Sequence, residues 1–346
     1  MHSGSSKDPS PFESEFAAIL ELIEGARSIA IAGHTSPDGD ALGSQLGLAL
    51  ALRDRYPDKA VHLLLADDAP VPRIYRFLEG SGGLIPACSF ADDVDLFVSV
   101  DAPTLERLAD AAPVARRARS IASFDHHPAR EEFADVSVRR VDSAATAVLV
   151  DEFLVRCGFK ISPAVATCLL CGIVTDTGRF QYQNADAVAF CAASHLVSCG
   201  AEPARIALEV YQSQRLEYLM LESLVMGRIR TVARGRVAYS YARLEDLASR
   251  GVSSDECDGL VDVVRSVLGV DVCLFLKEIA PGKVRGNLRS KCDADVSAVA
   301  ARFGGGGHVA AAGFTYDGSI EDTLADALPM LAELVGEEAP AGPVVL

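Results

Sequence analysis

The chain has 346 residues, enough at roughly 150 residues per domain for two domains, and its 49% hydrophobic and 23% charged content is that of a folded globular protein. With 32 Lys and Arg against 48 Asp and Glu the net charge is −16. That balance excludes a grip on long duplex DNA, which depends on many cationic side chains displacing counterions from phosphates.

Residues 1–13, rich in Ser, Pro and acids, read as a polar leader without the basic start and apolar run of a signal peptide. No apolar stretch reaches the ~20 residues that span a bilayer, so a cytoplasmic protein with no membrane partner is expected. The nine cysteines are an odd number scattered along the chain, which argues against a disulfide framework. A helix is expected over Glu13–Glu24, then a strand from Ser28 to Gly33 and a helix over Ala41–Arg53. Strand patterns follow at Val61–Leu65, Val94–Val100 and Arg119–Phe124, with a helical pattern at Thr104–Ala112. Such alternation predicts an α/β domain, a mainly parallel sheet with helices on both faces and functional residues at the carboxyl ends of its strands.

Helix-rich sequence runs from Ala144 to Met226, and the texture then changes. Arg228–Val232, Arg236–Tyr241, Val272–Glu278 and Val284–Leu288 read as strands; Asp258–Val267, Asp293–Ala301 and Ile320–Leu334 read as helices. A smaller mixed-sheet α/β C-terminal domain results. Residues 227–302 hold 13 basic and 10 acidic side chains, a local balance of +3, which suits an anionic ligand.

Four pieces at expected strand ends share one composition: His34-Thr-Ser-Pro-Asp38-Gly-Asp40, Asp101-Ala-Pro, Asp125-His126-His127-Pro and Thr175-Asp176-Thr-Gly178. Imidazole nitrogen and carboxylate oxygen without sulfur suit manganese, with magnesium, cobalt or iron as alternatives, better than a structural zinc. Asp38, Asp40, Asp101 and Asp176 crowded together would repel one another, and one divalent ion would leave at least two negative charges over. Two cations fit better than one. Ser44 lacks a base at triad spacing and reads as part of the following helix.

Gly304 to Gly307 follow a helix pattern and lack dinucleotide-fingerprint spacing. Placed before His308 and a helix-like Val309–Ala312, Gly305, Gly306 and Gly307 are expected to form an amide nest for a phosphate. Arg285, Arg289 and Lys291 supply cations, and Arg285 and Arg289, four apart on one strand, face the same side. This second domain reads as a clamp for a nucleotide end, with the active site in the cleft between the domains. Cys168-x-x-Cys171 and Cys191-x3-His195-x3-Cys199 have helical spacing and read as core packing rather than zinc ligands.

The ordered motifs around His34, Asp101, Asp125 and Asp176 resemble those of the DHH phosphoesterase superfamily. Gly304-Gly-Gly-Gly-His308-x-x-Ala-Ala-Gly313-Phe resembles the hallmark of the DHH-associated C-terminal domain of the alanyl-tRNA-synthetase type, and the two-domain build is similar to the nanoRNase/pAp phosphatase (NrnA-like) branch. The resemblance implies a catalytic domain over 14–190, a helical linker over 191–226 and a substrate-binding domain over 227–338. It implies that His34, Asp38 and Asp101 hold one cation, and that Asp40, Asp101, His126 and Asp176 hold the other, with Asp101 bridging. Consecutive residues in extended chain point to opposite sides, so His126 and His127 should not both serve one ion. His127 is then left for the substrate phosphate or leaving group, and Asp125 to orient an imidazole.

The resemblance further implies hydrolysis of short oligoribonucleotides, linear or cyclic dinucleotides and 3′-phosphoadenosine 5′-phosphate (pAp), and is compatible with a homodimer. A RecJ-like single-strand DNA exonuclease ranks lower, because Trp is absent and aromatics are 6% where stacking platforms would be wanted. A non-catalytic nucleotide sensor would be expected to have lost a ligand.

Overall fold

Alternate residues of the first strand serve different cores. Ile29 and Ile31 join one hydrophobic cluster, Ala30 and Ala32 another, and all four are fully buried. A strand covered on both faces belongs in a parallel sheet between two layers. In the computed structural model, which describes residues 10–128 and 132–338, it does.

The described residues divide into two compact units between Ser213 and Gln214. The first holds α1 (Glu13–Gly25), β1 (Ser28–Ala32), α2 (Gly39–Arg55), β2 (Ala60–Leu65), β3 (Leu84–Pro86), β4 (Leu96–Val100), α3 (Ala112–Arg117), β5 (Ser120–Asp125), β6 (Val136–Arg139), α4 (Thr146–Arg156), α5 (Pro163–Asp176), α6 (Ala187–Ser198) and α7 (Pro203–Tyr211). Its six strands are parallel in the order β3-β2-β1-β4-β5-β6. The chain changes direction of travel between β1 and β4, and the crevice at the carboxyl ends of such a pair is where open α/β sheets bind ligands.

The helix expected over Thr104–Ala112 is instead a 3-10 run, Leu105–Ala111, broken at Ala109, where φ is 37°. The Asp110 N–H is drawn away to the Ala66 carbonyl, and α-helix begins only at Ala112. The edge strands β3 and β6, three and four residues long, carry too little pattern to be read locally.

The second unit holds α8 (Leu216–Gly227), β7 (Arg230–Val232), β8 (Val237–Ala242), α9 (Leu244–Arg250), α10 (Leu260–Arg265), β9 (Val272–Ala280), β10 (Lys283–Ser290), α11 (Val296–Arg302), β11 (Gly306–His308), β12 (Ala311–Asp317) and α12 (Ile320–Leu334). Its mixed sheet runs β11-β12-β10-β9-β8-β7. The helices expected as a linker are shared out: Leu196, Ile206 and Val210 lie in the first unit's core, and Tyr218, Leu221 and Val225 in the second's.

The helix expected at Val309–Ala312 is absent. Gly306–His308 and Ala311–Asp317 form a β-hairpin, and its backbones approach too closely for side chains. A Cβ on Gly305 would lie 2.2 Å from the Gly313 carbonyl oxygen, and one on Gly307 would lie 2.4 Å from that of Ala311. Gly305 and Gly307 are therefore needed for close approach to β12, whereas a Cβ on Gly304 or Gly306 would meet nothing within 4 Å, and the run opens a strand rather than a helix. No helix among the described residues is long and apolar enough to cross a membrane.

Candidate active site

Three segments deliver acids and imidazoles to the carboxyl ends of β1, β4 and β5. His34 follows β1. Asp38 caps α2, its Oδ1 accepting from the Asp40 and Ala41 N–H groups at 2.9 and 3.0 Å. Asp101 follows β4 in a left-handed conformation, φ 56°, that Asp and Asn tolerate better than most residues. Asp125 ends β5, and His126 and His127 come next.

Asp176 arrives differently. The sequence places it at a strand end, but it is the last residue of α5. It reaches the site because α2 and α5 pack closely through glycine: a Cβ on Gly43 would lie 2.4 Å from the Cys168 carbonyl oxygen, and one on Gly172 would lie 2.8 Å from Asp40 Oδ1. Larger residues there would push the helices apart and separate Asp40 from Asp176.

The six side chains converge. His34 Nε2 lies 3.8 Å from Asp38 Oδ2 and 3.5 Å from Asp101 Oδ2. His126 Nε2 lies 3.8, 3.5 and 3.4 Å from Asp40 Oδ2, Asp101 Oδ1 and Asp176 Oδ2. Asp101 thus turns one oxygen to each group. His34, Asp38 and Asp101, and separately Asp40, His126 and Asp176, each offer ligand atoms within 4.8 Å of one another. These N and O donors fit two hard or borderline divalent cations sharing Asp101.

Electrostatics support that fit. Burial, then the neighbouring charges of Asp101 and Asp176, push Asp40 well above the carboxylate range. Burial would also raise Asp101, but the His34 hydrogen bond and the charges of His127 and His126 hold it far below that range. Burial alone would lower His34 and His126; the surrounding carboxylates raise both. Carboxylates crowded in this way favour added positive charge beside them.

Around these groups lies a fixed scaffold. His126 Nδ1 faces the Ser143 carbonyl oxygen at 3.0 Å, which leaves Nε2 for the carboxylates. His127 Nδ1 lies 2.9 Å from Asp125 Oδ1, and the Arg139 guanidinium donates to Asp125 Oδ2 at 3.3 Å while pairing with Glu132. Asp125 therefore orients His127. Ser44 donates to Asp40 Oδ1 at 3.3 Å and is no nucleophile. Arg139, Thr146 and Asn184, whose amide donates to the Asp176 carbonyl oxygen at 3.1 Å, were missed in the sequence; only Thr146, opening an apolar helical run, carries any local signal.

Cys168 and Cys171 are core residues, but Cys191 is exposed. His195 Nδ1 lies 3.1 Å from Asp151 Oδ1, and its Nε2 lies 3.5 Å from Cys199 Sγ, tying α4 to α6. Burial and Asp151 push the Cys199 thiol up, so this chain of groups holds no activated nucleophile.

In the second unit, register places the expected phosphate ligands on one sheet face. Arg285 pairs with Thr315, Asn287 with Gly313 and Arg289 with Ala311, while Ala311 also pairs with His308 and Gly313 with Gly306. Directly paired residues share a face, so Arg285, Asn287, Arg289 and His308 lie together. The opposite face carries Val284, Leu288 and Phe314 into the core. Gly313 leaves room for Arg285, whose Nη2 would lie 3.1 Å from a Cβ there. Lys291 lies beyond the strand, its ammonium donating to the Val267 carbonyl oxygen at 2.7 Å.

A family model described as the DHH family, N-terminal domain, matches residues 28–173, and one described as the DHHA1 domain matches residues 234–337. The chain is 30% identical over 328 residues to the bifunctional oligoribonuclease and PAP phosphatase NrnA of Thermus thermophilus, covering 93% of each chain. It is 26% identical over 317 residues to the cyclic-di-AMP phosphodiesterase GdpP of Geobacillus thermodenitrificans, covering 84% of this chain and 45% of the relative. The structure of an exopolyphosphatase-related protein from Bacteroides fragilis superimposes with a TM-score of 0.85 at 25% identity, covering 94% of this chain and 98% of that one.

Proposed function

The chain belongs to the DHH family and is a phosphoric ester hydrolase acting on nucleotides, and from that premise we propose that it cleaves short oligoribonucleotides and dinucleotides and dephosphorylates pAp with the help of two divalent cations, manganese foremost. The observation that carries this reading is Asp101, buried, with Oδ2 3.5 Å from His34 and Oδ1 3.5 Å from His126. His34, Asp38 and Asp101 would hold one cation; Asp40, Asp101, His126 and Asp176 the other. A pair of cations bound there supplies Lewis-acid stabilisation of phosphoryl charge and a water acidic enough to lose its proton near neutral pH.

The protein's own residues do the rest. Asp125, steadied by Arg139, holds His127 through Nδ1, so Nε2 is the atom that meets a phosphoryl or leaving oxygen. In the second unit, Arg285, Arg289 and His308 offer donors to a nucleotide phosphate, and Arg suits that task because its planar fork matches phosphate oxygens. That grip, placed at a terminal phosphate, favours substrates a few nucleotides long. The NrnA relative's described activity supports the oligonucleotide and pAp arms, and the GdpP relative's supports a cyclic dinucleotide arm.

One assay tests this. Full-length protein with manganese is incubated with a 5′-labelled dinucleotide, a pentanucleotide, a 24-mer, a cyclic dinucleotide and pAp. Rapid release of mononucleotides from the dinucleotide and of phosphate from pAp is expected, with little turnover of the 24-mer. Preferential degradation of the 24-mer would reject this reading in favour of a processive exonuclease.

A further inference from the structure

Thr146 opens α4 and is fully buried, and it touches two of the proposed ligands at once. Its backbone N–H donates to Asp40 Oδ2 at 2.6 Å, and its hydroxyl donates to Asp101 Oδ1 at 2.9 Å. The next N–H, that of Ala147, donates to Asp40 Oδ1 at 2.9 Å. From these contacts we propose that Thr146 is a positioning residue, locking the carboxylates of Asp40 and Asp101 into the orientation that receives the paired cations. This inference rests on the two-cation reading and deepens it.

A capping role does not account for the hydroxyl. The residue that caps α4 is Ala145, which has no side-chain oxygen, and Asp40 satisfies the helix's leading N–H groups from α2. Elsewhere in the first unit, threonines of α5 and its C-terminal cap turn inward on their own backbone: Thr167, Thr175 and the cap Thr177 each donate to the carbonyl four residues back. Thr146 spends its hydroxyl on Asp101 instead.

The geometry gives that bond a specific consequence. A carboxylate on a single rotatable bond can turn its plane, and the plane of Asp101 must place one oxygen beside His34 and the other beside His126. The Thr146 hydroxyl occupies one lone-pair direction of Oδ1 and so fixes that plane. Its β-branched side chain is itself stiff about χ1. Groups that orient ligands in this way typically contribute 10–100-fold in metal affinity.

The test uses the full chain, stripped of metal by dialysis against a chelator. Manganese(II) binding is measured by calorimetry for the wild type, Thr146→Val, Thr146→Ser and Asp101→Asn, alongside turnover at limiting and saturating manganese. Thr146→Val keeps the backbone N–H and the shape but loses the hydroxyl, and should weaken manganese binding about 10–100-fold. Its turnover should recover in part at saturating manganese. Thr146→Ser restores the hydroxyl and should return most of the affinity. If Thr146→Val fails to fold by circular dichroism, Thr146→Ala, which leaves space rather than an added methyl, carries the same comparison. Wild-type manganese affinity in Thr146→Val, with loss in Asp101→Asn, overturns the positioning role and leaves the two-cation reading standing. Wild-type affinity in Asp101→Asn as well overturns both.

Discussion

The acid cluster of the first unit and the ion pairs of the second bury charge by opposite means. In the second, acids are matched by cations: Asp246 bonds Arg228 at 2.5 and 3.1 Å, and the buried Lys277 ammonium bonds Asp258 at 2.9 Å. In the first, Asp40 and Asp101 are met by backbone N–H groups, hydroxyls and imidazoles that must be protonated to help. Paired charges close a structure; a cluster of acids around imidazoles leaves it asking for added positive charge. The difference separates a unit whose buried acids are matched by its own cations from one whose acid cluster would be matched by the proposed divalent cations.

The largest expected effect falls on the cluster. Asp101→Asn, chosen because Asn tolerates the left-handed backbone at that position, should lower turnover at least about 1,000-fold, several kcal/mol of transition-state stabilisation, with an unchanged circular-dichroism spectrum. Turnover within tenfold of wild type in manganese buffer would remove Asp101 from the centre of the mechanism.

Next comes the asymmetry between units. Manganese at about 100 times its dissociation constant should stabilise the first unit by roughly 2.7 kcal/mol, and calorimetry should show its unfolding transition moving up while the second unit's stays in place. Equal movement of both transitions would dissolve the contrast. Arg289→Ala probes the second unit's function, and losing one charged hydrogen-bond partner should raise the KM for a dinucleotide about tenfold while sparing a small artificial phosphodiester. Equal losses on both would refute the phosphate grip.

The smallest effect concerns the matched pairs. Burial would push Asp246 up, but the Arg228 hydrogen bond and the Arg243 N–H hold it below the usual carboxylate range. A depressed carboxylate contributes stability above its unfolded pKa of about 3.9, and that contribution is lost as pH falls through the folded value. Asp246→Asn should therefore destabilise the second unit by about 1–2 kcal/mol at pH 7, with the gap closing in denaturant titrations below about pH 4.

Most of the first unit's sheet was legible because hydrophobic periodicity is local: β1, β2, β4 and β5 announce themselves by short apolar runs between turns. The candidate ligands were legible because their residue types carry chemistry wherever they stand, and the alternation of β10 set Arg285 and Arg289 on one face. Asp176 was misplaced for a physical reason. A helix end can present a carboxylate as well as a strand end can, and what brings it in is the glycine contact between α2 and α5, which only appears when the helices are packed.

The glycine run before His308 was misread for a related reason. Absent side chains look alike in sequence whether the space is reserved for a ligand or for a neighbouring strand, and at Gly305 and Gly307 β12 takes it. Arg139 lay beyond sequence altogether, and for Thr146 the sequence marked only the start of a helix, not its partners. The contact from Thr146 to Asp40 spans 106 positions and depends on helix placement to a fraction of an ångström, information that no local pattern of polarity contains. By itself, then, the amino-acid sequence determined the principal strands and which side chains are candidates to hold cations or phosphate, since both follow from residue chemistry and short-range spacing. Tertiary packing alone decided which of those side chains meet, and which neutral neighbours hold them in place, because distance in space is set by cores and close helix contacts rather than by order along the chain.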